Sequence, residues 1–375
     1  MTLSRCRRGV AAGALAAGLL LSSAVPASAH PIDYTTPASA PVPAWLGHCT
    51  DQSVTTTLAT GQRARVAGTL CRPRGHVRTV LVLVHGATYN SSYWDWPLDP
   101  ARQSFVWAAL RAGYATFAID KLGAGRSDAP ASSLVTFTAQ ADAIHQAVQV
   151  MRDRFSHVVI IGHSFGTAEA DAEFAADADA DALVATGSGH ALSTVTAQES
   201  VIDFAPGASL VPRRFAGRDA GYVTTTTVAA RRALLYNATT ADGIVTFDAA
   251  TRDVFSQSEL TTRPANLGGL TRSITAPVLL IDGSLDTHYC NGATPEFDLD
   301  DCASAVGLYA SEQANYGPCF AASVVPGSGH DLTTESGAPV AAATILAYLA
   351  RTVPADGAPV RCAIAGPLTP VAARP

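Results

Sequence analysis

Lysine is almost absent from this sequence of 375 residues: Lys121 is the only one, and the other basic residues are arginines. Charged residues make up only 15% of the chain, and the formal net charge is -6 at pH 7. Nucleic-acid binding needs clustered basic side chains, so this composition argues against a nucleic-acid partner. Beyond the N-terminal segment there is also no apolar run long enough for a membrane-spanning helix, so we expect no stable membrane insertion of the mature chain.

The N-terminal segment has the three parts of a secretory signal peptide. An arginine-containing start, "MTLSRCRRGV", precedes the apolar run "VAAGALAAGLLL", and "AVPASAH" follows with small residues at a cleavage position. The apolar run is short and rich in alanine, which disfavours a membrane anchor. We therefore predict that residues 1–29 are removed before His30 and that the mature protein is secreted.

The cysteines fit an oxidising compartment. Once Cys6 leaves with the signal peptide, an even number remains, and no CxxC or Cys/His cluster at ligand spacing indicates a metal site. We expect no metal. Two cysteines flank a hairpin-like segment that turns at "ATGQ", two bracket a short acidic loop, and two are left over. The predicted pairs are Cys49–Cys71, Cys290–Cys302 and Cys319–Cys362.

Short, continuously apolar runs alternate with helical patterns along the mature chain. Such runs are typical of strands buried on both faces of a parallel sheet, and their alternation with helices predicts a doubly wound α/β fold. The interval 190–263 contains helical patches but no apparent buried strand, so we predict a mostly helical cap there. The predicted organisation is a core at 30–189, a cap at 190–263, more core at 264–362 and a flexible tail at 363–375.

One motif carries most of the chemistry. In "VVIIGHSFGTAEA", an apolar run enters Gly-His-Ser-Phe-Gly at residues 162–166, and helix-forming residues follow. This G-x-S-x-G pattern between a strand and a helix places a serine on a sharp turn, where flanking glycines let strand and helix approach closely. Ser164 is thus the candidate nucleophile.

A nucleophilic serine needs a base and an acid that orients the base, in the chain order serine, acid, histidine. Asp286 follows the strand "VLLIDG", and His330 lies in the loop "GSGHDL" after the next strand. The alternatives are Asp282 as acid and His288 as base. With histidine as base, activity should fall below pH about 6 to 7.

His190 is a further alternative base, at the start of the predicted cap. Two backbone amides are also needed to bind the tetrahedral oxyanion. We predict the N–H groups of Phe165, next to the serine, and of Ala87 in the loop "HGAT", with Thr88 as the fallback.

These motifs together resemble a secreted α/β-hydrolase over residues 77–353. The loop "DKLGAGRSD" at 120–128 is similar to the D-x-x-G-x-G-x-S loop of these proteins. The resemblance implies the α/β-hydrolase fold, a serine–histidine–aspartate triad and a cap inserted after the sixth strand. Serine at the nucleophile position argues against the dehalogenase and epoxide hydrolase members, which have aspartate there.

The predicted function is cleavage of an uncharged carboxylic ester through an acyl-enzyme on Ser164, with no cofactor and a small-molecule substrate. Peptide or amide cleavage is the alternative within enzymes, and Asp242, Asp248 and Asp253 are candidate partners for a substrate amino group. A non-catalytic ligand-binding protein is the alternative outside enzymes. The acidic run "DADADA" at 177–182 lacks the spacing of a calcium loop, and we expect solvated surface there.

Overall fold

A nine-stranded sheet forms the centre of the computed structural model, which describes residues 39–190, 204–290 and 300–372. Its spatial order is β1-β2-β4-β3-β5-β6-β10-β11-β12, and the strands from β4 to β12 run parallel to one another. The strands are β1 Gly47–Thr57, β2 Arg63–Pro73, β3 Thr79–Val84, β4 Ala115–Ile119, β5 His157–His163, β6 Ala182–Thr186, β10 Val278–Gly283, β11 Phe320–Val325 and β12 Gly366–Pro367.

Helices cover both faces of this sheet, as the continuous apolar strands predict. In β3, Val80, Val82 and Val84 pack with helices α3 and α4, whereas Leu81 and Leu83 pack with α2 and α11 on the opposite face. The helices are α1 Pro100–Gln103, α2 Phe105–Arg111, α3 Phe137–Arg152, α4 Phe165–Asp177, α5 Gly207–Leu210, α6 Val228–Leu235, α7 Asp242–Thr251, α8 Gln257–Thr261, α9 Leu267–Thr271, α10 Ala305–Glu312 and α11 Ala338–Thr352.

The segment between β6 and β10 differs from the prediction in one respect. It contains helices α5 to α9, but also a three-stranded antiparallel sheet of β7 Phe204–Pro206, β8 Tyr222–Thr225 and β9 Phe255–Ser256. All of β8 and β9 is buried. The expectation of no buried strand in this interval is therefore wrong, because strands of two to four residues are too short to show a period. Residues 191–203 of the predicted cap lie outside the described residues.

The C-terminal tail also differs from the prediction, because its described part pairs with the central sheet. Residues Gly366–Pro367 pair with Ala321 and Ala322 as strand β12, and the N–H of Leu368 donates to the carbonyl of Ala322 at 2.8 Å. The described residues through 372 thus include a strand, where the sequence predicts a flexible tail from 363. Two residues that include a proline show no recognisable strand pattern in the sequence, because they form a strand only by joining an existing sheet edge.

Three disulfides join the cysteine pairs that the sequence predicts. Cys49 and Cys71 stand directly opposite each other in the β1–β2 hairpin, Cys290 pairs with Cys302, and Cys319 at the start of β11 pairs with Cys362 ahead of β12. No helix among the described residues is long and apolar enough to cross a bilayer. The predicted signal peptide at 1–29 lies outside the described residues.

We expect thiol titration of the denatured, unreduced chain from His30 onward to find no free thiol, because every cysteine after Cys6 is paired. The same sample after reduction is the control, and it should react at all the cysteines. Two or more reactive thiols before reduction would contradict the pairing.

Candidate functional site

Ser164 is the single residue between β5 and α4, and its backbone is strained. Its φ is 53° and its ψ is -124°, a left-handed conformation that side chains rarely adopt. The turn closes so tightly that a Cβ at Gly162 would come within 2.5 Å of the Thr167 backbone, and one at Gly166 within 2.4 Å of the His85 carbonyl. The glycines of the motif are therefore required sterically, and the turn holds the Ser164 side chain at the carboxyl edge of the sheet.

The three side chains predicted as nucleophile, base and acid lie in hydrogen-bond contact. Nε2 of His330 is 2.8 Å from Oγ of Ser164, and Nδ1 of His330 is 2.8 Å from Oδ2 of Asp286. Asp286 follows β10, and His330 follows β11. Because β5, β10 and β11 are parallel, the loops after them meet at one edge of the sheet.

Burial and mutual contact shift the pKa values of this pair in opposite directions. Burial disfavours the imidazolium of His330, but the carboxylate of Asp286 outweighs it and raises the pKa of His330 to about 9. Burial likewise disfavours the charge on Asp286, but His330 lowers the pKa of Asp286 to about 2. The pair thus favours a negative Asp286 beside an imidazole that readily accepts a proton.

The alternative residues lie elsewhere or make other bonds. Asp282 is fully buried inside β10, where its Oδ1 accepts the N–H of Ser188 at 2.8 Å. His288 stacks on the ring of His330 with a centroid separation of 4.2 Å, and burial lowers its pKa to about 4. His190 bonds to Glu312 and Thr271 instead. Among the candidates, only Asp286 and His330 therefore join Ser164 in one chain of hydrogen bonds.

The two amides predicted to bind the oxyanion both border the cavity in front of Ser164. Within the described residues, neither the N–H of Ala87 nor that of Phe165 has an acceptor. The loop before Ala87 is held by His85, whose Nδ1 lies 2.8 Å from the Gly86 carbonyl and whose Nε2 accepts the N–H of Lys121 at 3.0 Å. The next residue, Thr88, has a φ of 62°. Both amides are thus unbonded and fixed by their neighbours.

A buried polar network, which the sequence analysis did not detect, starts beside the serine. Nε2 of His163 lies 3.1 Å from Oδ1 of Asp331, the residue after His330. The ring of His163 stacks on Tyr93 with a centroid separation of 4.3 Å. The hydroxyl of Tyr89 lies against Asp331 on one side and 3.1 Å from Asp248 of α7 on the other.

The network ends on the loop that carries Ala87. Arg231 of α6 donates to both carboxylate oxygens of Asp248, and its Nη1 donates to Oγ1 of Thr88 at 2.9 Å. Both Arg231 and Asp248 are fully buried. The cap is therefore bonded to both sides of the serine. The only sequence signals of this network are an arginine at a helical position of the cap and the histidine inside G-x-S-x-G.

The cavity in front of Ser164 is mostly apolar, and the predicted cap supplies seven of its fifteen described lining residues. Its volume is about 90 Å³, below the roughly 300 to 1,000 Å³ of pockets that hold drug-sized ligands. Among the described residues that line the cavity, Arg263 is the one with a permanent charge. Its guanidinium has no hydrogen-bond or ion-pair partner among the described residues. The apolar wall consists of Phe204, Leu234, Leu235, Phe255, Leu260 and Tyr289.

The family follows from a match over most of the chain. Residues 81–343 match the profile of the Alpha/beta hydrolase family. The chain belongs to the Alpha/beta hydrolase family, and the α/β-hydrolase fold predicted from the sequence is confirmed. No curated protein sequence matches the chain.

Several solved structures share the fold. An esterase from Thermogutta terrifontis with bound malate aligns with a TM-score of 0.55 at 16% identity, over 80% of this chain and 98% of that one. An esterase from Exiguobacterium antarcticum aligns with a TM-score of 0.52 at 15% identity, over 75% and 93%. A carboxylesterase from Bacillus subtilis aligns with a TM-score of 0.51 at 14% identity, over 78% and 88%. These identities establish a common fold and no more.

Proposed function

We propose that this protein is an exported serine hydrolase that cleaves small carboxylic esters. The observation that carries the proposal is the chain of two 2.8 Å contacts from Asp286 through His330 to Ser164, on a turn with a φ of 53°. A strained serine in contact with a charge-supported imidazole is the arrangement that nucleophilic acyl transfer needs. The esterases that share the fold support the same reaction class.

Each residue has a defined role in this proposal. Oγ of Ser164 attacks the ester carbonyl carbon while Nε2 of His330 takes its proton, and Asp286 stabilises the resulting imidazolium. The amides of Ala87 and Phe165 donate to the oxyanion of the tetrahedral intermediate. His330 then protonates the departing alcohol, which leaves an acyl group on Ser164. A water molecule, deprotonated by His330, attacks this acyl-enzyme and regenerates the serine.

The cavity supports short substrates over long ones. Its volume of about 90 Å³ and its apolar wall fit a small acyl group. The test is hydrolysis of chromogenic esters with acyl chains of increasing length by the mature protein. We expect the highest kcat/KM at the shortest chains and a steep decline beyond them. No turnover of any ester would contradict the proposal and favour a ligand-binding role.

Peptide cleavage is less well supported, because the acidic residues of the cap are already paired. Asp242 pairs with Arg232, and Asp248 pairs with Arg231. Asp253 pairs with Arg214. None of these aspartates is among the described lining residues of the cavity, so none is placed to hold a substrate amino group.

Export of the mature protein is supported by the disulfides. The structure pairs every cysteine after the predicted signal peptide, and disulfides of this kind form and persist in oxidising compartments.

The pH dependence of kcat/KM should follow the titration of His330. Only neutral imidazole accepts the serine proton, and the pKa of His330 is raised to about 9. Activity of the free enzyme should therefore rise about tenfold per pH unit up to about pH 9 and level off above it. This midpoint lies above the pH 6 to 7 that an ordinary histidine predicts.

A profile of kcat/KM measured from pH 5 to 10 checks this midpoint. A midpoint near pH 6.5 would show that Asp286 does not raise the pKa of His330, and a flat profile would exclude His330 as base.

Arg263 favours a second substrate class, namely esters that carry a carboxylate. Its unpaired guanidinium borders the cavity and offers donors for bidentate binding of such a group. We expect Arg263→Gln to lower kcat/KM for a monoester of a short dicarboxylic acid by about ten- to a hundredfold, and to leave a neutral ester of equal length nearly unchanged. Arg232→Gln, outside the cavity, is the matched control. Equal effects on both esters would exclude recognition of a carboxylate by Arg263.

A further inference from the structure

A cluster of four metal-ligating side chains lies on the far side of α4 from the serine turn. His145 projects from α3, Glu173 and Asp177 from the last turns of α4, and Asp179 from the connection to β6. Nδ1 of His145 lies 3.7 Å from Oε1 of Glu173, 3.6 Å from Oδ2 of Asp177 and 2.9 Å from Oδ2 of Asp179. Ligand atoms of His145, Glu173 and Asp177 all lie within 4.8 Å of one another, and Asp179 adds a carboxylate beside the imidazole.

Glu173 is the unusual member, because it is buried without a partner. Its side chain is 0% exposed, and neither carboxylate oxygen has a hydrogen-bond partner. Nδ1 of His145 lacks one as well, although it is close to three carboxylates. Buried polar atoms are normally bonded, and an unpaired buried carboxylate is strongly disfavoured. Burial, reinforced by Asp179, raises the pKa of Glu173 to about 9.

The surroundings of the cluster add negative charge, and no described arginine or lysine pairs with Glu173. The cluster lies at the carboxyl end of α4, where the helix dipole is negative. Asp142 is one turn before His145 on α3, and the charge of Asp177 contributes to raising its pKa after burial. Among the described residues, the nearest arginine, Arg152, is bonded to the backbone carbonyl of Asp179 and to Asp181. No described arginine or lysine neutralises Glu173.

The spacing of these atoms fits a small cation. Ligand atoms about 2.0 to 2.2 Å from a tetrahedral zinc ion are about 3.3 Å from one another. The three distances from Nδ1 of His145, at 2.9, 3.6 and 3.7 Å, lie on both sides of this value. One imidazole with carboxylates suits zinc or another transition metal, whereas calcium takes oxygen ligands alone.

We propose that His145, Glu173, Asp177 and Asp179 bind one divalent transition-metal cation, with zinc the best match to the donor set. The cation links α3, α4 and the connection to β6, which gives it a structural role distant from Ser164. Asp177 and Asp179 belong to the acidic run at 177–182, for which the sequence predicts solvated surface; Asp177 is exposed and Asp179 is partly buried.

The experiment measures zinc stoichiometry. Mature protein is stripped with a chelator, dialysed against zinc chloride and assayed for bound zinc by mass spectrometry. Glu173→Gln and His145→Gln should each bind one zinc ion fewer than the wild type, with an affinity loss at this site of at least about a hundredfold. His157→Gln is the matched control, since His157 is a partly buried histidine that faces a single carboxylate, Asp181, at 3.2 Å. It should bind as much zinc as the wild type.

Thermal unfolding separates metal binding from loss of structure. Without metal, Glu173→Gln should melt at or above the wild-type temperature, because it removes an unpaired buried carboxyl group. With excess zinc, the wild type should gain several degrees and both variants should not. The proposal is overturned if the variants bind as much zinc as the wild type, or if calcium raises the wild-type Tm as zinc does. If Glu173→Gln does not fold, His145→Gln on the surface decides between these outcomes.

Discussion

Ser164→Ala is expected to lower kcat for ester hydrolysis by about 10⁶-fold, the loss typical of removing the nucleophile from a serine triad. The remaining groups still bind substrate and stabilise the oxyanion, so KM should change little. Steady-state kinetics on the best short-chain ester measure the effect. A serine-directed phosphonate probe should label the wild type and not the variant. Retention of more than about one per cent of activity would show that Ser164 is not the nucleophile.

Two aspartates, Asp282 in β10 and Asp286 in the loop after it, give the sharpest test of which acid supports His330. Asp286→Asn should lower kcat by about 10⁴-fold, because the amide no longer stabilises the imidazolium of His330. Asp282→Asn is the matched control: Asp282 is equally buried, burial raises its pKa well above the usual value, and its side chain does not contact His330 or Ser164 through a hydrogen bond. We expect near wild-type activity from it. The reverse order of effects would make Asp282 the acid.

Lys121→Met is expected to destabilise the fold by about 3 to 5 kcal/mol. The ammonium group of this lysine lies 2.7 Å from Glu169 of α4 and 2.8 Å from Glu259 of α8, and its side chain is only 2% exposed. Burial opposes its charge, but the two carboxylates outweigh burial and raise the pKa of Lys121. Removing the lysine leaves acidic groups buried without a cation. Urea unfolding measures the loss in the free energy of unfolding.

Two companion variants identify the cause of this loss. In Lys121→Met with Glu169→Gln and Glu259→Gln, no charge remains buried, and most of the stability should return. Arg65→Met, which breaks an exposed pair with Asp128, should cost at most about 1 kcal/mol. If the triple variant is less stable than Lys121→Met alone, the buried charges themselves stabilise the link between α4 and the cap.

The three residues of the proposed triad were predictable because each is marked locally. Ser164 has a glycine on both sides of its turn, and Asp286 and His330 each follow an apolar strand in a glycine-containing loop. Parallel strands deliver such loops to one edge, so chain order alone indicated that the three side chains meet. The cysteine pairs followed from similar short-range spacing.

Other features depend on contacts between distant segments and had no local signal. Strand β8, in the run "YVTTTT", is buried only because cap segments on both sides pair with it. The pKa of His330 depends on Asp331 and Asp282 as well as on Asp286. The environment of Lys121 combines residues 48 and 138 positions away in the chain. Sequence patterns predict elements and their order, whereas these properties arise from packing.

The short strand β12 has a consequence for the behaviour of the protein in concentrated solution. Without it, β11 would present the backbone of "FAASVV", an uncharged and β-prone segment, as an open edge to other molecules. The tail covers that edge with two residues, one of which is a proline without an N–H group to offer. The disulfide between Cys319 and Cys362 links the segment before β12 covalently to the residue before β11. We therefore expect the tail to hinder the pairing of β11 with other molecules at Ala321 and Ala322, and so to slow aggregation through this edge.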